Sequence, residues 1–143
     1  MDEHSADHEA DHGAYDAYRD GRDLLSSGNP HAAVVALERA RTLEPDKASV
    51  RETLARAYYR SARYEAAAAE FASAVDLDPV NDYAHFGLGL TLSRMGQPSQ
   101  ARGHLKLAVA MRPLPEYRDA LAALPEALDA ETSPVDAHPA DGP

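Results

Sequence analysis

Apolar and small residues recur along this chain in columns spaced by 34 residues. Alanines stand in phase at Ala33, Ala67 and Ala101, and again at Ala40, Ala74 and Ala108. A small residue recurs at Gly21, Ala55 and Gly89, with larger apolar ones at Leu24, Tyr58 and Leu92. Two further columns are Leu37, Phe71 and Leu105, then Leu43, Leu77 and Met111, and a proline closes each set at Pro45, Pro79 and Pro113. The columns mark three units, 14–47, 48–81 and 82–115. A unit of this length holds two helices and cannot bury its apolar face alone, so the pattern predicts a stack of helix pairs.

Each column has a physical reason. Small residues let two helix backbones approach closely, and the large residue between them fills the space at the rim. The closing proline lacks an N–H and clashes with the turn before it, so it parts one pair from the next. Inside the units, Gly28-Asn29-Pro30 and Gly96-Gln97-Pro98 supply a glycine stop and a proline at a helix's first position. The middle unit has Ala62-Arg63-Tyr64 there, a weaker break. Beyond Pro113, Leu114, Tyr117, Leu121, Leu124 and Leu128 draw one apolar stripe at intervals of 3, 4, 3 and 4. They predict a capping helix over 116–130 that covers the third unit, with Pro125 separating a firm part from a frayed last turn at 126–130.

The order of these columns resembles the tetratricopeptide repeat family. Leu54-Ala55, Tyr58, Ala67, Phe71, Ala74 and Pro79 occupy the family's signature positions, and the third unit matches nearly as well through Leu88-Gly89, Ala101, Leu105, Ala108 and Pro113. The first unit departs most, with Asp20 where the family prefers Leu and Ala17 where it prefers an aromatic. The resemblance implies an all-α, right-handed superhelical array of three antiparallel helix pairs, with function on the concave face lined by the first helix of each pair. Projected onto that face are Tyr15, Tyr18, Arg22 and Leu25 from the first unit. The second contributes Glu52, Arg56, Tyr59 and Arg60, and the third Tyr83, Phe86, Leu90 and Arg94. Aromatic rings offer rigid area and guanidiniums take carboxylates, so the groove is expected to hold a protein or peptide partner with acidic groups. One sub-class of the family clamps chaperone tails with Lys and Asn at five groove positions. This chain has Tyr18, Arg22, Thr53, Tyr83 and Gly87 there, so that partner is not implied.

Charge sharpens the picture once it is divided. The net charge is −10, yet 14–113 carries thirteen basic residues against twelve acids. The acidity lies in residues 1–13 and 114–143, and the polar tails 1–13 and 131–143 are expected to stay unfolded and aid solubility. Nearly balanced repeats argue against a nucleic-acid partner. Cysteine is absent, which removes disulfides, thiol catalysis and cysteine-ligated zinc. No apolar run approaches the ~20 residues of a membrane span, and the acidic N-terminus is not a secretory signal, so a cytoplasmic location is expected.

Three patterns mimic chemistry. His4, His8 and His12 have metal-ligand spacing on a helix, but the polar segment around them has no core to hold it, and no metal is assigned. Gly87-Leu88-Gly89 looks like a fragment of a dinucleotide loop, but no strand precedes it. His85 and His104 lack a nucleophile or paired acid at suitable spacing and read as packing or surface residues. The sequence thus predicts a non-enzymatic, cofactor-free adaptor, with self-association of the repeats as the second reading.

Overall fold

The computed structural model describes residues 2–125, with side chains from Gly13 onward. Seven helices follow one another: α1 (Asp2–Ser26), α2 (Pro30–Leu43), α3 (Ala48–Arg60), α4 (Tyr64–Leu77), α5 (Asp82–Arg94), α6 (Pro98–Met111) and α7 (Pro115–Ala123). They pack as pairs α1/α2, α3/α4 and α5/α6, each stacked on the next, with α7 against α6. Helix α1 begins at Asp2, where composition predicts unfolded chain up to residue 13. No proline interrupts this stretch. The expected frayed turn at 126–130, with Leu128, and the tail 131–143 lie outside the described residues.

The phased alanines are the places where helices touch. Ala33, Ala40, Ala67, Ala74, Ala101 and Ala108 are all fully buried. The small-residue column faces the large one, since a Cβ on Gly21 would lie 2.4 Å from Leu37 and one on Gly89 would lie 2.7 Å from Leu105. Gly87 extends the logic across a unit boundary: its missing side chain makes room for the Phe71 ring, 2.3 Å from where a Cβ would stand. Phe71 is larger than the leucines of its column and so reaches from the second unit into the third. The column of Leu43, Leu77 and Met111, by contrast, lies half-exposed at the outer ends of the second helices.

The turns inside the pairs share one geometry. Gly28, Ala62 and Gly96 occupy equivalent positions, and all three have positive φ, at 86°, 61° and 76°. After each, the next residue's N–H returns to the carbonyl five residues back: Asn29 to Leu24, Arg63 to Tyr58 and Gln97 to Leu92, at 2.8–2.9 Å. The reversal satisfies carbonyls that the helix end would otherwise leave unpaired. The middle unit therefore makes the same turn with alanine that its neighbours make with glycine.

Helix α7 closes the third unit. Tyr117 is almost wholly buried, its ring 4.6 Å from that of Phe86, and its hydroxyl donates to Asp82 Oδ2 at 2.6 Å. Leu124 is buried in the same cluster, with Leu114 and Leu121 partly covered beside it. Helix α7 stops at Ala123, ahead of Pro125, whose carbonyl accepts from Arg102 Nη2 at 2.7 Å. Burial, followed by the bond to Asp82, pushes the Tyr117 hydroxyl's pKa well above the usual tyrosine value.

Candidate functional site

Helices α3 and α5 bring five of the second and third units' projected residues together. Arg56, Tyr59 and Arg60 of α3 meet Tyr83, Gly87 and Leu90 of α5 around a cavity of about 230 Å³, with Phe71 of α4 as its floor. The floor exists because Gly87 has no side chain to displace the Phe71 ring.

Aromatic rings and a backbone carbonyl hold the guanidiniums in this region. Arg56 lies over the Tyr83 ring at 5.9 Å. Arg94 lies over Tyr59 at 6.0 Å and donates from Nε to the Tyr59 hydroxyl at 3.3 Å. Arg60 donates from Nη1 to the Leu25 carbonyl at 3.1 Å, and Arg22 lies over Tyr18 at 5.4 Å. Among the described residues none of these four meets a carboxylate, whereas Arg19, Arg41, Lys47, Arg51 and Arg112 each pair with one. The one projected acid, Glu52, accepts from Asn81 Nδ2 at 2.8 Å, while the Asn81 side-chain oxygen caps α5 by accepting from the Ala84 N–H. Burial raises the Tyr83 hydroxyl's pKa against the opposing pull of Arg56, so the ring beside the guanidinium stays neutral.

Four projected residues take other places. Phe86 is buried under α7 against Tyr117 and does not line the cavity. The sequence projection treats the third unit's helix as open, but α7 covers that part of it. Leu25 is likewise buried, packed with Ala33, Leu37, Leu54 and Tyr58, because the second unit covers it. Tyr15 and Tyr18 line a separate hollow of about 420 Å³ with Glu44, Lys47, Ser49 and Val50.

Some polar pairings follow no 34-residue column. Glu70 is nearly buried and accepts from both Arg41 of α2 and Arg51 of α3, tying two units together. Tyr58 donates to Glu38, with Arg63 over its ring at 4.7 Å. His85 and His104 also make a defined pair. His85 Nε2 lies 3.1 Å from the Pro79 carbonyl, which only accepts, so that nitrogen carries the proton. His85 Nδ1 then accepts from His104 Nδ1, 3.2 Å away. Burial, followed by the neighbouring His85, lowers the His104 pKa.

Among the described residues no group of three or more His, Asp or Glu side chains is placed to hold a metal, and no helix is long and apolar enough to cross a membrane. The side chains of His4, His8 and His12 fall outside those described. Gly87 and Gly89 lie within α5, so they form no loop.

Stacked helix pairs with an open row of side chains on their first helices define a helical repeat protein. Two tetratricopeptide repeat family models match the chain, over residues 18–82 and 60–124, and the chain belongs to that family. No curated protein matches it in sequence. Among solved structures it is similar to the first repeat domain of Spaghetti (RPAP3) bound to the HSP90 peptide SRMEEVD. The TM-score is 0.78 at 18% identity, over 82% of this chain and 94% of that one. It is also similar to MamA, with a TM-score of 0.77 at 19% identity over 86% and 72% of the two chains. The second repeat domain of human RPAP3, in complex with the HSP70 peptide SGPTIEEVD, scores 0.76 at 18% identity over 80% and 97%. At these identities the likeness is one of fold.

Proposed function

We propose that the chain is a non-enzymatic adaptor that grips an acid-bearing segment of a partner protein across α3 and α5. The observation that supports this most is the contrast in arginine environments. Arg22, Arg56, Arg60 and Arg94 are positioned by rings and a carbonyl with no carboxylate beside them, while Arg41 and Arg51 share Glu70. A guanidinium already held in one orientation loses less freedom when a carboxylate arrives, and bidentate pairing then favours acid over neutral ligands. The cavity over Phe71 adds a place for one apolar side chain between the charges. The similar fold of Spaghetti holds a peptide that ends in Glu-Glu-Val-Asp, which has the same combination of acids and an apolar residue.

Selection of random peptides displayed against the full chain tests this. The selected peptides are expected to carry Asp or Glu on either side of an apolar residue, and Arg56→Glu with Arg60→Glu should lose them. Enrichment of neutral or basic peptides, or equal binding to the double variant, refutes the reading.

A further inference from the structure

The chain carries a segment with the carboxylates that Arg56, Arg60 and Arg94 do not meet among the described residues. From Asp119 to Pro143 there is no Lys or Arg, and Glu131-Thr-Ser-Pro-Val135-Asp136 sets one apolar side chain beside two carboxylates. We propose that Glu131–Asp136 is a ligand of the same chain's groove, with Val135 in the cavity over Phe71 and its flanking acids on Arg56, Arg60 and Arg94. The proposal rests on the acid-binding reading above and names one occupant of that site.

Geometry and charge both favour the contact. The point of departure is fixed, because Arg102 holds the Pro125 carbonyl and Leu124 is buried in the third unit's core. Helix α7 stands beside α5 through the Tyr117 contacts with Asp82 and Phe86, so only α5 separates it from the α3 wall of the cavity. Two helix spacings of ~10 Å make roughly 20 Å. The ten residues from Pro125 to Val135 span up to ~33 Å when extended, which covers that path with slack. Leu128, three residues on, spans only ~10 Å, which favours Val135 as the side chain that enters. Arg56, Arg60 and Arg94 meet no carboxylate among the described residues, so an arriving acid displaces no existing ion pair.

A tethered ligand acts at an effective concentration of about 1 mM, so a contact with an intrinsic Kd of ~100 µM fills the groove most of the time. It then weakens the apparent affinity of an outside acidic peptide about tenfold. A partner must outbid the tail to bind, and weak acidic peptides are screened out.

The test uses a fluorescein-labelled peptide with the sequence of residues 126–143 as probe. Its anisotropy is titrated with the full chain and with a Glu131→Gln, Val135→Ser, Asp136→Asn variant, at low salt and at 0.15 M. The variant is expected to bind the probe about tenfold more tightly at low salt, with the gap narrowing as screening shortens to ~8 Å. Adding Arg56→Glu and Arg60→Glu to the variant should remove the binding. Equal affinity for the two proteins, or binding to neither, overturns the proposal. A gap that shrinks on dilution, with dimers in sedimentation, assigns the groove to a second copy's segment and overturns it too. Equal tight binding leaves the acid-binding groove standing, whereas failure of the displayed-peptide selection removes the groove reading itself.

Discussion

Ala62 is the residue whose replacement tests the repeat logic most sharply. It holds φ 61° at the turn where the other two units have Gly28 and Gly96. A left-handed conformation costs an L-residue roughly 1–2 kcal/mol, because Cβ crowds the following carbonyl. Ala62 is exposed, so its methyl gives back no packing. Ala62→Gly relieves that strain but frees the unfolded chain, which costs about 0.4–1 kcal/mol. The balance is a gain of about 0.5–1 kcal/mol. At a urea slope of ~2 kcal/mol/M this raises the unfolding midpoint by about 0.3–0.5 M, read by circular dichroism at 222 nm with the slope unchanged. The converse changes, Gly28→Ala and Gly96→Ala, would place a Cβ where nothing lies within 4 Å, so any loss they cause is conformational. Each should cost about 1 kcal/mol. A neutral or destabilising Ala62→Gly, or a neutral Gly96→Ala, refutes the claim that the three turns are equivalent.

Three further outcomes are expected. Gly87→Ala drives a Cβ against the Phe71 ring and should cost about 1–3 kcal/mol, while Gly103→Ala, with open space around it, should gain up to ~1 kcal/mol from helix propensity; a urea series on both checks the opposite signs. Tyr117→Phe should cost about 1–2 kcal/mol through the lost bond to Asp82, and Tyr117→Ala about 3–5 kcal/mol by uncovering the third unit; small and equal losses in urea melts would mean that α7 does not cap. The His104 pKa is lowered on folding, so the unfolded chain takes up the proton more readily and neutral His104 favours the folded state. Its contribution is fully present above the unfolded value of about 6.5 and is lost as pH falls below it, so melting temperature should drop from pH 7.5 to pH 5.5, and less so in His104→Asn.

The architecture was legible because backbone packing repeats and the site was only partly so because side-chain covering does not. Columns at 34 residues report where helices touch, and the buried alanines and the Gly21–Leu37 and Gly89–Leu105 pairs sit at those contacts. Contacts between successive first helices also keep a near-repeat interval: Arg60 to Leu25, Arg94 to Tyr59 and Tyr117 to Asp82 are each 35 residues apart. The Glu70 pairings join residues 29 and 19 apart, so no column shows them. The same holds for Tyr58 with Glu38 and for His85 with His104, at 20 and 19. Phe86 and Leu25 were misplaced for a different reason. A helical projection assigns a face to each residue without knowing which neighbour covers it, and α7 and the second unit cover those two.

The division of the core has a consequence for how the molecule comes apart. Leu54, Ala57, Tyr58 and Ala67 pack with the first unit, while Ala55 and Phe71 pack with the third unit and α7. Val50 packs with Ala17 and Ala40 of the first unit in a smaller cluster, so the second unit is shared between first-unit and third-unit clusters, and the seam between them runs through the middle of a repeat. Fraying from either end releases one cluster and leaves α3 and α4 anchored in the other. Their amides should exchange with solvent most slowly, and a cut at Lys47 or Asn81, natural as it looks on the sequence, splits a cluster that the fold keeps whole. The module that persists when the chain loosens is offset from the module that repeats in its sequence.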